Sequence, residues 1–239
     1  QAADWAEWII ERLAPLVTPQ RLARMQAVLA ARSNHVAFVF ERMIDPHNFS
    51  AAMRSLDAFG FQDVYVVQPG DRLDLSRAIT IGSDRWLTLQ RPDTAADCVA
   101  ILHAQGYRVL ASHVVPHEET PDLAELDFSE PVALVFGNEH GGVGDELLSL
   151  ADGRFRIGML GFVESLNLSV SVAVSAWHAR QALNRLRAEL PTDAPDRTTR
   201  YALPPARQRT LMADWLRRSV KRSADILGET PLEGPSQTD

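Results

Sequence analysis

The chain has 239 residues, 46% of them hydrophobic and 23% charged, with a net charge of −7, which is the composition of an ordinary globular protein. No apolar run approaches the ~18 residues that a membrane span requires, and the amino end lacks the basic-then-apolar pattern of a signal peptide. A single cysteine, Cys98, excludes an internal disulfide and a cysteine-rich metal site, and it favours a reducing, cytoplasmic location.

The amino-terminal half alternates between helix and strand patterns. Two short helices are predicted at residues 5–13 and 19–31, the second with Thr18 as its N-cap and Pro19 at its first position. Apolar runs bounded by glycine or proline predict the elements that follow. These are a strand at 36–40, a helix at 46–59 closed by Gly60, a strand at 63–67, a loop at 71–83, a short strand at 86–89, a helix at 94–105 and a strand at 107–115.

The second half contains two strand patterns that end in glycine-bearing loops. An apolar run at 132–136 stops at Gly137, and an apolar piece at 155–160 runs into a turn at 165–167. The remaining predictions are a long helix at 166–190, a polar linker at 189–200, an amphipathic helix at 204–227 with Leu211, Trp215 and Leu216 facing inward, and a disordered tail at 229–239.

Strands that alternate with helices predict an α/β fold with a mostly parallel sheet and helices on both faces. At the carboxyl edge of such a sheet, neighbouring strand ends that open into glycine-bearing loops form the usual geometry of a ligand crevice. We therefore expect the chemistry of the protein in these two loops.

Three segments in a fixed order carry a resemblance to a known family. They read PHNFSAAMR at 46–54, FGNEHGG at 136–142 and IGMLGFVESLNLSV at 157–170. Together they resemble the signature motifs of the SpoU or TrmH family, which are SPOUT-class RNA 2′-O-ribose methyltransferases. The flanking helices look most like the branch of tRNA (guanosine-18-2′-O)-methyltransferases.

The resemblance implies a domain plan and a set of site residues. The plan is a helical extension at 1–32, a SPOUT methyltransferase domain at 33–190 with a carboxyl-terminal trefoil knot, a basic helical extension at 191–228 and the tail at 229–239. S-adenosylmethionine is the implied methyl donor, held largely through backbone groups, and the implied assembly is a homodimer. The donor contacts then fall on Ser112, Gly137, Ile157 and Leu166. Catalysis is assigned to Arg54, with Asn48, Glu139, Ser165 and Asn167 shaping the site.

Arg54 is an unusual general base, because the pKa of an arginine lies above ~12 and keeps the side chain protonated. Stabilising the developing alkoxide is at least as defensible a role as removing the proton with help from an RNA phosphate. Asn48 and Arg54 are six residues apart, so they point to different sides of one helix. They serve one site only if Asn48 lies at the helix start or if two subunits contribute. Without the motif, Arg54 reads as a solvent-facing arginine and Asn48 as an N-cap.

The basic residues are concentrated at the two ends of the motif region. Residues 176–222 hold eleven basic and four acidic side chains, a charge of +7, so the rest of the chain carries −14. This asymmetry is typical of a footprint for a polyanion, and solvated helix faces are the alternative interpretation. The expected RNA contacts are Arg21, Arg24, Arg180, Arg207, Arg218 and Arg222. No metal is expected, because His47, His140 and His178 lack ligand spacing and an accompanying carboxylate cluster.

Some positions depart from the family pattern. Gly144 stands where the family has Ser or Thr, Gly158 replaces the proline of the third motif, and Arg180 could replace a basic pair further along the helix.

The leading hypothesis is methylation of tRNA, because about 30 residues precede the first strand, too few for a separate RNA-binding domain. Ribosomal RNA as substrate and a catalytically silent RNA-binding relative are the alternatives. A Rossmann oxidoreductase is excluded, because no G-x-G-x-x-G follows the first strand.

Overall fold

We analysed a computed structural model of the chain, which describes residues 2–68, 83–113, 119–197 and 199–228. It divides into two compact units: the described parts of residues 1–31 and 203–239 form one, and residues 32–202 form the other. The two predicted helical extensions therefore belong to a single unit. Residues 191–202 belong to the larger unit instead of the carboxyl-terminal extension. The predicted tail at 229–239 lies outside the described residues.

The larger unit is built on a sheet in which all six strands run parallel, as the alternation of elements predicts. The strands are β1 Val36–Glu41, β2 Asp63–Val67, β3 Thr88–Gln90, β4 Arg108–Ser112, β5 Val132–Phe136 and β6 Gly153–Phe155. Their order across the sheet is β3-β2-β1-β5-β4-β6. β1 and β5 are therefore central, and the carboxyl ends of β5 and β4 are neighbours at one edge. The trefoil knot implied by the resemblance stays a prediction.

Helices cover both faces of the sheet, as predicted. They are α3 Pro46–Ala58 and α6 Leu168–Glu189 on one face, and α4 Ala95–Ala104 and α5 Asp145–Leu150 on the other. Side chains alternate along β1, so Phe38 and Phe40 pack toward the first pair of helices and Val39 packs toward the second. Cys98 lies in the second core, and burial raises the pKa of its thiol to about 12, which fits a buried bystander.

Several predicted strands are shorter in the structure. The predicted strand at 86–89 follows a 3₁₀ turn, Ser83–Trp86, and begins only at Thr88. The strand predicted at 107–115 is described as Arg108–Ser112, with residues 114–118 outside the described part, as is most of the loop predicted at 71–83. The apolar piece at 155–160 was wrongly expected to be a strand. β6 ends at Phe155, and after one bridge from Arg156 to Asp122 the chain leaves the sheet.

The smaller unit contains α1 Ala2–Leu13, α2 Pro19–Ala31, α7 Pro205–Ser219 and α8 Ser223–Ile226. Thr18 accepts a hydrogen bond from the backbone of Arg21, which confirms the predicted N-cap. Leu211, Trp215 and Leu216 are buried, as their spacing predicts. The single helix predicted at 204–227 is wrong, because α7 ends at Ser219 and Arg222 has a left-handed φ of 58°. None of the helices described here is long and apolar enough to cross a membrane.

Candidate active site

A cavity of about 400 Å³ opens at the carboxyl edge of β4 and β5, between the two glycine-bearing loops. Seven of the residues expected at the site line it: Ser112, Gly137, Glu139, Ile157, Ser165, Leu166 and Asn167. They come from β4, from the loop after β5 and from the segment between β6 and α6. The structure thus brings together residues that lie up to 55 positions apart in the sequence.

The first loop, residues 137–144, is shaped by its own backbone and one asparagine. Asn138 Oδ1 accepts hydrogen bonds from the backbone nitrogens of His140 and Gly141, at 3.0 and 2.7 Å. The loop folds back so tightly that a Cβ atom at Gly137 would overlap the carbonyl group of Gly142. Gly142 itself has a left-handed φ of 62°, which glycine adopts without strain. Glu139 is held at the exposed apex of this loop.

The last residue of the first loop is hydrogen-bonded to the last residue of β1. The carboxylate of Glu41, only 5% exposed, accepts a hydrogen bond of 2.6 Å from the backbone nitrogen of Gly144. A Cβ atom at Gly144 would lie 2.5 Å from the guanidinium of Arg42, which is 3.7 Å from the Glu41 carboxylate. A side chain at position 144, where the family has Ser or Thr, would therefore require the end of Arg42 to move.

A chain of amide hydrogen bonds links the first motif, the second loop and α6. Asn167 is the N-cap of α6, and its Oδ1 accepts from the backbone nitrogen of Ser169 at 2.9 Å. Its Nδ2 consequently faces Asn48 and donates to Asn48 Oδ1 at 3.0 Å. Asn48 Nδ2 in turn donates to Glu139 Oε1 at 2.6 Å. The carboxylate at the cavity rim is thus oriented from α6 through two side-chain amides.

Asn48 is free to join this chain because another residue caps its helix. Asp45 is the N-cap of α3, and its carboxylate accepts from the backbone nitrogen of His47 at 2.8 Å. The interpretation of Asn48 as an N-cap is therefore wrong. Its place as the third residue of α3 meets the condition set from the sequence, that it lie at the helix start.

The second loop, residues 157–166, differs from the first in that it makes no hydrogen bond with any described residue. Leu160 and Phe162 are fully exposed there. A Cβ atom at Gly158 would overlap the carboxylate of Asp122, which caps a short 3₁₀ turn. A proline at position 158, as in the family pattern, would require that carboxylate to move.

Arg54 lies outside the cavity lining. It is exposed on α3, and no hydrogen bond or ion pair joins its side chain to any described residue. The structure therefore does not bring Arg54 to the pocket that Asn48, through Glu139, helps to shape.

Arg180, one of the expected phosphate contacts, is hydrogen-bonded to the backbone of its own chain. Its Nε and Nη2 donate to the carbonyl oxygens of Phe59 and Gly60, both at 2.8 Å, at the carboxyl end of α3. Burial, and then the charges of Arg187 and Arg32, lower its pKa to about 10, so it stays protonated at neutral pH.

The remaining arginines expected to bind RNA lie in the smaller unit. Arg21 and Arg24 are exposed on α2, and Arg21 donates to the hydroxyl of Ser219. Arg207 and Arg218 are eleven positions apart on α7, which brings them to the same helix face. Arg222 was expected on that face as well, but it lies beyond the helix and pairs with Asp225 at 2.6 Å.

Sequence reasoning missed several residues of the site. Arg156, Met159 and Glu164 line the cavity, and Glu41 anchors the first loop. Glu41 ends a wholly apolar strand, and a carboxylate at that place was a signal that could have pointed to it. Arg156 donates from Nε to the carbonyl oxygen of Thr120 at 3.1 Å, a contact that no local pattern predicts.

The lining is that of a small-molecule pocket. The cavity falls in the size range of small-molecule pockets, and its walls are loop backbone with a few charged groups at the rim. The four positions expected to contact the methyl donor, Ser112, Gly137, Ile157 and Leu166, all belong to this lining. The described residues contain no cluster of three His, Cys, Asp or Glu side chains that could bind a metal.

Comparison with known proteins places this site in a family. The model of the SpoU rRNA Methylase family matches residues 35–177. The tRNA (guanosine(18)-2′-O)-methyltransferase of Thermus thermophilus is 34% identical over 201 residues, which are 84% of this chain and 98% of that protein. The crystal structure of the A. aeolicus TrmH/SpoU tRNA modifying enzyme has a TM-score of 0.71 at 26% identity, covering 84% of this chain and 97% of that one.

A structure with the methyl donor is also similar. The AdoMet-bound rRNA methyltransferase from Sinorhizobium meliloti has a TM-score of 0.55 at 28% identity, covering 66% of this chain and 60% of that one. The family model spans more than half of this chain. The residues of all three motifs lie around one cavity or on the helix beside it. The chain therefore belongs to the SpoU rRNA Methylase family.

Proposed function

We propose that this SpoU-family methyltransferase transfers a methyl group from S-adenosylmethionine to the ribose 2′-hydroxyl of guanosine 18 in the D-loop of tRNA, in the cytoplasm. The hydrogen-bonded chain from Asn167 through Asn48 to Glu139 carries the proposal, because it builds an oriented polar rim on a nucleoside-sized cavity. Similarity over 84% of the chain to a tRNA (guanosine(18)-2′-O)-methyltransferase supports tRNA as the substrate over ribosomal RNA.

In this proposal the chain holds both reactants and stabilises charge. The bound donor supplies an electrophilic methyl group. Backbone groups of the two loops bind it, and Ser165 and Glu139 at the rim orient the incoming ribose by hydrogen bonds. Arg54 binds the neighbouring RNA phosphate and stabilises the alkoxide that forms as the 2′-hydroxyl gives up its proton, through that phosphate, to solvent. The products are the 2′-O-methyl ribose, S-adenosylhomocysteine and the released proton.

The position of Arg54 supports a site assembled by two copies of the chain. Arg54 is exposed and lies outside the lining of the pocket formed by its own chain. On α6, Val170, Val174 and Trp177 form an apolar stripe that is 45%, 38% and 53% exposed. Leu168 and Val172, which alternate with the first two, are buried within the subunit. A homodimer formed through this stripe would cover it and bring Arg54 of one copy toward the pocket of the other.

A complementation experiment tests the dimer. Arg54→Ala and Asn167→Ala chains, each inactive alone, are mixed under conditions that exchange subunits, and methyl transfer is measured. We expect partial recovery, because a mixed dimer then has one site with both groups intact. A ~26 kDa species in sedimentation at micromolar protein would contradict the dimer itself.

Methyl transfer to defined transcripts tests the substrate. An unmodified tRNA transcript is compared with one that carries 2′-deoxyguanosine at position 18, which differs only in the acceptor hydroxyl. We expect incorporation into the first and none into the second, and a ~10²–10³-fold loss of rate for Arg54→Ala with donor affinity unchanged within a few fold. Equal incorporation into both transcripts would move the target to another nucleotide, and activity on ribosomal RNA alone would favour the alternative substrate.

RNA is proposed to contact basic residues of the smaller unit through its phosphates. Arg21 and Arg24 on α2, with Arg207 and Arg218 on α7, supply exposed or half-exposed positive charge in the smaller unit. Replacing Arg207 and Arg218 by Gln should lower the slope of log affinity for RNA against log salt by about 1.5 to 2, while leaving donor binding unchanged. An unchanged slope would make this charge a solvated helix face.

A further inference from the structure

The carboxyl end of α3 is held by two arginines that the reaction itself does not use. Arg180, from α6, bonds the carbonyl oxygens of Phe59 and Gly60 and stacks over the ring of Phe61 at 4.8 Å. Arg32 is fully buried, bonds the carbonyl oxygen of Phe61 at 2.8 Å and pairs with Asp57. Three successive carbonyl groups after the helix thus accept hydrogen bonds from guanidinium groups.

The arginine contacts add to the normal closure of the helix end. The last carbonyl groups of an α-helix have no partner within the helix, and they carry its partial negative charge. Gly60, with a left-handed φ of 75°, turns the chain so that these carbonyls accept hydrogen bonds from the backbone nitrogens of residues 59–61. The two arginines bind the carbonyls of the C-cap Phe59 and of the two residues that follow it. Arg180 keeps its charge there, and its Nε and Nη2 groups already donate hydrogen bonds to the backbone.

The other end of α3 is tied to the same partner helix. Asn167, at the amino end of α6, donates to Asn48 in the first turn of α3, and Arg180 lies thirteen residues further along α6. Those thirteen residues span ~20 Å. Between the two ties, Ala176 and Ala179 are fully buried in the core that α3 shares, so the helices pack closely. α6 therefore fixes both the rotation of α3 and its position along the axis.

Arg54 depends on this placement more than the other motif residues do. Asn48 has direct bonds to two site residues, whereas the side chain of Arg54 has no hydrogen bond or ion pair with any described residue. Its location is therefore set by the α3 backbone alone. Arg54 lies between Asn48 and the carbonyl groups that Arg180 binds, so a shift of the carboxyl end would carry it along.

We propose that Arg180 is a positioning residue for Arg54, holding the first-motif helix at its carboxyl end so that the catalytic guanidinium meets the reacting ribose. This inference rests on the proposed function, in which Arg54 acts at the 2′-hydroxyl. It assigns to Arg180 a contact with the protein backbone in place of a contact with an RNA phosphate.

The test combines substitutions of Arg180 with the Arg54→Ala variant. Arg180→Met removes both hydrogen bonds, and Arg180→Lys keeps the charge but can reach one carbonyl group. Arg185→Met is the matched control, since Arg185 is exposed on the same helix and no other described residue bonds it. Single-turnover methyl transfer, donor affinity by calorimetry and the salt dependence of tRNA binding are measured for each.

We expect Arg180→Met to lower the methyl-transfer rate ~10-fold or more, because a displacement of about 1 Å is enough for such losses, and Arg180→Lys to recover part of it. Donor affinity and the salt slope should stay unchanged, and Arg185→Met should keep its rate within twofold. In the Arg54→Ala background the Arg180→Met loss should disappear, since both changes remove the same contribution.

Other outcomes overturn the inference. A salt slope lowered by about 1 with a matching loss of RNA affinity would make Arg180 a phosphate contact. A lower melting temperature with an unchanged rate would make it a helix cap and nothing more, and a full loss in the Arg54→Ala background would place its effect elsewhere. If the wild-type chain methylates no RNA, the proposed function fails. Loss of activity in the Arg180 variants alone tests only this positioning role.

Discussion

The two loops that form the cavity differ in what determines their shape. Residues 137–144 are held by internal hydrogen bonds, by the Glu41 carboxylate and by a backbone fold with no room for a side chain at Gly137. Residues 157–166 form no hydrogen bond with the rest of the described chain and leave Leu160 and Phe162 fully exposed. One wall of the pocket is therefore preformed by the chain, and the other depends on what binds against it.

This difference separates the two tasks of the site. The preformed wall carries Glu139 and ends the central strand β5, so its geometry is fixed before any reactant binds. The second wall leads directly into α6, whose apolar stripe continues the exposed surface of Leu160 and Phe162 along the chain. A second copy of the chain on this surface would give the second wall the contacts that it lacks, and pocket completion would then depend on assembly.

The largest effect is expected from Gly137→Ala in the preformed wall. The added methyl group would overlap backbone atoms of Gly142 and Val143, which cannot move aside as a side chain could. Strain of this kind typically costs about 3 kcal/mol, which corresponds to ~100-fold weaker donor binding. Calorimetry with S-adenosylmethionine and circular dichroism on the same sample measure both quantities. Donor affinity within threefold of wild type would show that the first loop adapts as freely as the second.

A smaller loss is expected from Glu41→Ala, which removes the acceptor for the backbone nitrogen of Gly144. A buried donor left without its partner costs about 1–3 kcal/mol, and Arg42 loses its nearest carboxylate. The free energy of unfolding should fall by that amount, and donor binding should weaken ~10-fold. Glu41→Gln is the matched control, because an amide oxygen can still accept the bond. An equal loss in both variants would assign the effect to charge and not to the loop contact.

Much of the fold and most of the site residues could be predicted from the sequence. Strand and helix periodicity gave the parallel sheet with both faces covered, and seven of the nine expected donor and catalytic positions line one cavity. Of the other two, Asn48 is hydrogen-bonded to Glu139 of the lining, and Arg54 makes no such contact. Motifs locate the loops reliably because glycine and turn residues report local backbone geometry.

What the pattern could not show depends on contacts between distant residues. The apolar run at 155–160 resembles a strand, yet Gly158 lies against the Asp122 carboxylate and the chain turns away from the sheet. Arg180 resembles a surface charge in the sequence, and only the fold brings it to the carbonyl groups of Phe59 and Gly60. The contacts of Gly144 with Arg42 and of Gly158 with Asp122 likewise join residues that no local pattern relates.

Phe162→Ser tests whether the second wall is completed by another copy. The ring has no contact to lose within its own chain, so the melting temperature of dilute, monomeric protein should not change. If a second copy covers the ring, dimer dissociation should increase ~10-fold, and donor affinity should fall only at protein concentrations where the wild type is dimeric. Sedimentation across a concentration series measures this. The same dissociation constant in both proteins would remove Phe162 from any interface.

The smallest effect is expected from Gly161→Ala, the counterpart in the second loop of the Gly137 substitution. No atom lies within 4 Å of the position where its Cβ would be placed, and its φ lies outside the left-handed region that favours glycine. The methyl group therefore meets nothing in the chain, and the reduced freedom of the unfolded state should stabilise the protein by about 0.4–1 kcal/mol. Donor affinity should stay within twofold of wild type in calorimetry. A loss of donor affinity close to that of Gly137→Ala would contradict this expectation. It would mean that the backbone of the second loop, like that of the first, comes into close contact with another group when the donor binds.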